Sequence, residues 1–192
     1  MMSIGYEMYI KLVEDAVKAL NEGRGIAIED EIECEISLDV EAYIPKTYIH
    51  DTQSKLMVYR KIAGIQTDEQ FKDVKEYIED MFGRSPENVR KLMELSFVKN
   101  KAAKCGISKV RSNEFDIIVE YESGKRLESH DYSALADEFK DVLKIGGYKH
   151  PILKFNKVQY LYKYNVDLNE EPLDVVRKII SIHANFQNEY SN

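Results

Sequence analysis

The hydrophobic period of the chain changes near residue 106, and this change limits the folds that the chain can adopt. Before that point apolar residues recur every three or four positions, as they do on helices with one buried face. After that point short segments alternate between apolar and polar residues, which is typical of strands. The pattern predicts an α+β fold with a helical N-terminal half, an antiparallel sheet in the C-terminal half and a closing C-terminal helix that starts at Pro172.

One strand is expected within the helical half. Apolar residues alternate with mostly acidic ones from Ile32 to Val40, which predicts a short strand with one buried face and one acidic face. Helices are expected on both sides of it. The first carries an apolar stripe, and Asp51 and then Thr67 or Asp68 are the expected N-caps of two later helices. The stripe of the first helix consists of Ile4, Met8, Leu12, Ala16 and Leu20.

The C-terminal half is expected to supply most of the sheet. Segments 107–110 and 115–122 have strand patterns, and Ile152–Phe155 is predicted to form a hairpin with Val158–Tyr164. No linker-like segment separates the two halves. We therefore expect one domain over residues 1–192, with a helical lobe over about 1–106 and a sheet-rich lobe over about 107–192.

The composition fits an ordinary globular protein of a reducing intracellular compartment. Cys34 and Cys105 lie far apart in sequence and lack the spacing of a metal site, which favours a reducing compartment. The sequence contains neither an apolar run long enough to span a bilayer nor the pattern of a signal peptide. These features predict a cytoplasmic location and no membrane partner.

The sequence lacks the short motifs that carry chemistry. The phosphate-binding loop and the patterns GxGxxG, HExxH, CxxC and GxSxG do not occur. We therefore expect no catalytic residue, no cofactor-binding residue and no metal ligand. A small hydrolase assembled from dispersed acids and the four histidines is the least favoured alternative; these histidines are His50, His130, His150 and His183.

A nucleic-acid-binding module is the second alternative. The formal net charge of −7 argues against it, because nucleic-acid binders usually carry a basic excess. In its favour, a tyrosine-rich segment would place aromatic rings on one strand face, and a lysine-rich region runs from Lys99 to Arg111. The competing interpretation is that these tyrosines pack under the last helix. The strand face would consist of Val158, Tyr160, Tyr162 and Tyr164.

Four segments, in order, resemble the C-terminal domain of the bacterial transcription-repair coupling factors (Mfd). The first is Gly5–Tyr9, which resembles the family's GFE(M/L)Y segment, and the second is Tyr43–Ile49, which resembles YIP..YI. The third is the helix from Leu56 to Ile62. The fourth combines Asp80–Gly83, which resembles the DRFG motif, with several later positions. These later positions are Pro86, Val89, Leu92, Lys99, Gly106 and Ile107.

This resemblance implies a regulatory domain of a DNA-repair motor. The family protein removes stalled RNA polymerase from DNA and recruits the excision-repair protein UvrA. Its ATP and Mg²⁺ sites lie in motor domains upstream of the segment that resembles this chain. The C-terminal domain folds back onto a UvrB-like module of the same polypeptide, where it masks the UvrA-binding surface and restrains the motor. The resemblance therefore implies that the domain itself is not an enzyme.

The resemblance also implies where the masking contact lies. In the family it is attributed to acidic residues around the DRFG helix, which correspond here to Glu76, Tyr77, Glu79 and Asp80. Asp80 keeps the motif's acid. Tyr77 stands where the family usually has Glu, and Met81 stands where it has Arg, so a more apolar contact through Tyr77 is left open. Glu76 and Glu79 are expected to point elsewhere on the helix.

Overall fold

The computed structural model describes residues 34–38, 40–147, 150–165 and 171–189. Within these ranges the chain forms six helices and a five-stranded mixed sheet, which confirms the expected α+β class. The expected first helix, from Ile4 to Leu20, lies outside the described residues. The helices are α1 (Thr52–Ala63), α2 (Asp68–Phe82), α3 (Glu87–Lys104), α4 (Ser129–Phe139), α5 (Lys157–Tyr164) and α6 (Glu171–Glu189), and the strands are β1 (Glu35–Ser37), β2 (Ile107–Ser112), β3 (Asp116–Tyr121), β4 (Leu143–Gly146) and β5 (Ile152–Asn156).

The sheet has the strand order β1-β2-β3-β5-β4. The acidic strand β1 lies parallel to β2, with Ile36 opposite Val110, whereas the other neighbours are antiparallel. Alternate residues of the central strands are buried, as the sequence pattern predicts. Helices cover this buried face, and α6 contributes Val176 and Ile179 to the same core.

The chain divides into two compact units. Of the described residues, the first contains 40–97, and the second contains 34–38, 98–147, 150–165 and 171–189. In the first unit the predicted caps are present, because the Asp51 side chain accepts a hydrogen bond from the Ser54 N–H and Thr67 accepts one from the Gln70 N–H. The core of this unit is aliphatic and includes Ile44, Ile49, Val58, Ile62, Ile78, Val89 and Leu92.

One sequence prediction is wrong. Residues 157–164 form helix α5, not the second strand of a hairpin with β5. The Asn156 side chain caps the helix by accepting a hydrogen bond from the Gln159 N–H at 2.9 Å. The misreading has a physical cause, since residues four apart satisfy both periods. Tyr160 and Tyr164 share one helix face with ring centroids 4.5 Å apart, whereas Tyr162 points away and is 93% exposed.

The helices of the described ranges are amphipathic or short. Among the described residues, no helix combines the length and the apolar character that crossing a bilayer requires.

Candidate interaction face

Helix α2 is held at both ends, which fixes the positions on its surface from which its side chains project. Thr67 caps its N-terminus, and Gly83 ends it with a positive φ of 83° while its N–H donates to the Glu79 carbonyl. The next turn of chain is fixed as well, because the Tyr48 hydroxyl donates a hydrogen bond to the Gly83 carbonyl at 2.6 Å. Burial raises the pKa of Tyr48.

Four exposed carboxylates form a line along α2. They are separated by four, three and four positions, a spacing that places them on one helix face. In the part of the chain that the structure describes, none of them forms an ion pair with a lysine or arginine. We call this line the acidic stripe; it consists of Glu69, Asp73, Glu76 and Asp80.

The acidic stripe contains two of the four residues that the resemblance selects. Glu76 lies one turn before Asp80 and is exposed like it, so Glu76 shares the face of Asp80 and does not point elsewhere. Glu79 does point elsewhere. Its carboxylate accepts a hydrogen bond from the Ser85 N–H at 3.4 Å, which ties it to the chain before α3. Glu79 therefore has a structural contact that the sequence did not reveal.

Tyr77 lies beside the acidic stripe and packs against helix α1. Its hydroxyl donates to the Met57 sulfur at 3.6 Å, and the Lys61 ammonium lies 4.4 Å from the centre of its ring. Met81 lies one turn later and is 59% exposed, while Met57 is 39% exposed. We call Met57, Tyr77 and Met81 the apolar strip. The sequence pointed to Tyr77 and Met81, but Met57 joins them only through the packing of α1 on α2.

The structure does not support the tyrosine-strand alternative. Because 157–164 is helical, Tyr160 and Tyr164 pack inside the second unit. The Tyr160 hydroxyl donates to Asp174 at 2.7 Å, and the Tyr164 hydroxyl donates to the Glu138 carbonyl at 2.5 Å. Burial raises the pKa of Tyr164 to about 12. Tyr160 and Tyr164 therefore pack near the last helix, as the competing interpretation expected, whereas Tyr162 is exposed.

In the lysine-rich region from Lys99 to Arg111, the positive charges that lie in β2 are paired with acids. The Lys109 ammonium lies 2.8 Å from Glu35, and Arg111 lies 2.9 Å from Glu120. A cation that already pairs with a carboxylate contributes less to phosphate binding, because the phosphate must compete with that partner.

The structure brings two of the four histidines together around one acid. The Nδ1 atom of His183 lies 3.2 Å from Asp131, and its Nε2 atom is 2.9 Å from the Tyr121 hydroxyl. His130 lies 3.7 Å from the same carboxylate. Burial lowers the pKa of His183. Asp131 also accepts a hydrogen bond from the Glu128 N–H, so the cluster's hydrogen bonds are used within the fold.

This cluster does not have the form of a metal site. Across the described ranges, no three His, Cys, Asp or Glu side chains are arranged to hold an ion. The Tyr121–His183–Asp131 chain instead connects β3, α6 and the first turn of α4, and Tyr121 is almost fully buried. Its geometry fits a link between secondary-structure elements.

Comparison with known proteins places the acidic stripe within a recognised domain. Residues 38–132 match the family model described as "TRCF domain". The chain is 32% identical over 123 residues to the transcription-repair-coupling factor of Escherichia coli (strain K12), a match that covers 63% of this chain and 11% of that protein. It is 26% identical over 174 residues to that of Borreliella burgdorferi, covering 86% of this chain and 15% of that protein.

The chain thus spans less than a fifth of the length of these curated relatives. A solved structure described as the C-terminal domain of transcription-repair coupling factor matches with a TM-score of 0.64 and 23% sequence identity. That match covers 81% of this chain and 97% of the solved chain. Residues 38–132 are therefore similar to the TRCF domain of the transcription-repair-coupling factors, and the chain has the fold of their C-terminal domain.

Proposed function

We propose that this chain is a non-catalytic regulatory domain of a transcription-repair coupling factor in the bacterial cytoplasm. It docks through helix α2 on the UvrB-like module of the parent polypeptide, where it masks the UvrA-binding surface and restrains the DNA-translocating motor. UvrA competes for the masked surface, and RNA polymerase and DNA are partners of the parent protein. ATP and Mg²⁺ belong to the parent's motor domains, and the domain itself needs no cofactor.

The observation that carries this proposal is the acidic stripe on a helix whose ends are fixed. Asp80 and Glu76 are exposed, lie one turn apart and have no cationic partner among the described residues. Carboxylates placed at fixed positions along a helix favour a basic partner surface and disfavour an acidic one, so they contribute specificity as well as attraction. The resemblance assigns the masking contact to this same part of the domain.

The free energy that keeps a tethered domain docked is small. A tethered domain meets its docking surface at an effective concentration of about 1 mM. An intrinsic dissociation constant of about 10 µM then keeps the domain docked about 99% of the time, which corresponds to about 2.7 kcal/mol. Because this energy is small, a competing protein can displace the domain, as a reversible switch requires.

The test measures UvrA capture by the parent protein that contains this domain. We expect the double change Glu76→Gln and Asp80→Asn to weaken docking by about 1.4 kcal/mol, which raises the undocked fraction and UvrA capture about tenfold. Asp80→Ala alone should act in the same direction. Asp137→Asn is a matched control, because Asp137 is an exposed acid on α4 in the other unit.

The result that counts against the proposal is specific. If the double variant and Asp80→Ala both capture UvrA at the level of the unaltered protein, the acidic stripe is not the masking contact. If Asp137→Asn raises capture as much as the double variant does, the effect comes from net charge and not from a defined face.

A further inference from the structure

The apolar strip occupies a defined position on the first unit. On a helix of 3.6 residues per turn, Tyr77 and Met81 lie between the acidic stripe and the buried side that contains Ile78. Met57 extends the strip onto α1, where the Tyr77 hydroxyl reaches its sulfur. The strip therefore lies on both α1 and α2 and is wider than the surface of one helix.

The charges around the strip are asymmetric. The four carboxylates of the acidic stripe border it on one side, whereas the Lys61 ammonium lies over the Tyr77 ring at its α1 end. A partner that covers the strip must therefore present cations opposite α2. It gains a further contact if an acid faces Lys61. This arrangement fixes the orientation of the partner as well as its charge.

We propose that the apolar strip is the centre of the docking face, and that its partner is a protein surface with an apolar patch bordered by arginine or lysine on the α2 side. The proposal rests on the proposed function, since it describes the chemistry of the module on which the domain docks. Methionine side chains suit this role because they are unbranched and adapt to an irregular surface. The acidic stripe forms the rim and selects the orientation.

This division of roles has a measurable consequence. Apolar burial is insensitive to moderate salt, whereas exposed charge pairs weaken as the Debye length falls from about 10 Å at 0.1 M to about 3 Å at 1 M salt. A docking contact centred on the strip therefore keeps most of its affinity at high ionic strength. A contact made by the carboxylates alone does not.

The experiment is calorimetric titration of this chain with the isolated UvrB-like module of the same coupling factor, at about 50 mM and about 500 mM NaCl. The strip variant is Met57→Gln with Met81→Gln, and the stripe variant is Glu76→Gln with Asp80→Asn. Tyr162→Gln is the control, because Tyr162 is an exposed apolar residue of the second unit. Met81, Glu76 and Asp80 are exposed and Met57 is 39% exposed, and circular dichroism checks that each variant keeps the native fold.

We expect the strip variant to bind about tenfold more weakly at both salt concentrations. The stripe variant should bind about threefold more weakly at low salt and should match the unaltered chain at high salt. The control should stay within about twofold of the unaltered chain.

Two results overturn the inference, and they are distinguishable. If the unaltered chain binds the module but loses its affinity at high salt, and the strip variant binds normally, the contact is electrostatic. That result leaves the proposed function standing. If the unaltered chain does not bind the module at either salt concentration, the proposed function fails and this inference fails with it.

Discussion

The hydrogen bond between Ile44 and Tyr59 offers a sharp test of how the first unit is held together. The backbone N–H of Ile44 donates to the Tyr59 hydroxyl at 3.0 Å, and both residues are buried, with 2% and 7% of their surface exposed. Tyr59→Phe keeps the ring and its packing but removes the acceptor. A buried donor without a partner costs about 1–3 kcal/mol, so we expect a loss of about 2 kcal/mol.

For a chain of this size, that loss lowers the midpoint of the thermal transition by roughly 4–8 °C. The local readout is hydrogen exchange at the Ile44 amide, which should lose protection in the variant. The control is Tyr162→Phe, which removes a hydroxyl that is exposed to solvent and should change stability by less than about 0.5 kcal/mol. If Tyr59→Phe is as stable as this control, the Ile44 N–H has found another hydrogen-bond acceptor and the reasoning is refuted.

Two further predictions concern the backbone at the end of α2 and the buried histidine. Gly83 has φ 83° and ψ −175°, a region that essentially only glycine occupies. Gly83→Ala should therefore lower the free energy of unfolding, measured by urea titration, by about 2 kcal/mol. Gly64 has φ −82°, so Gly64→Ala should leave that free energy nearly unchanged. The folded-state pKa of His183 lies below its ordinary value, so the unfolded chain binds more protons, and stability should fall as the pH drops through about 6.5 and below. His183→Gln should remove this part of the pH dependence; an unchanged slope in the variant would contradict the assignment.

Local signals in the sequence predicted much of the fold. Asp51 and Thr67 were recognisable as caps because an N-cap acts on a donor within three residues of itself. Gly83 is also a local signal, because glycine readily adopts the positive φ at which α2 ends. The strand prediction for 157–164 is wrong because alternate tyrosines satisfy a period of two. The Asn156 side chain, which caps the helix through one hydrogen bond, is a single local signal that favours a helix there.

The site was predictable only in part. The resemblance selected Asp80 and its neighbours, but the direction of each side chain depends on the position of the helix against its neighbours. Met57 and Tyr77 are 20 positions apart, and Tyr121 and His183 are 62 apart, so no local pattern could pair them. The role of Glu79 was missed because its contact is with the backbone of Ser85, which a side-chain pattern does not reveal.

The parallel pairing of β1 with β2 has a consequence for synthesis on the ribosome. Glu35 and its partner Lys109 are 74 positions apart, and the helices of the first unit are made in between. At a translation rate of about 5–20 residues per second, roughly 4–15 s pass between the synthesis of β1 and that of its neighbour β2. An unpaired strand at that stage can associate with other nascent chains, and an exposed glutamate such as Glu35 opposes such association by repulsion.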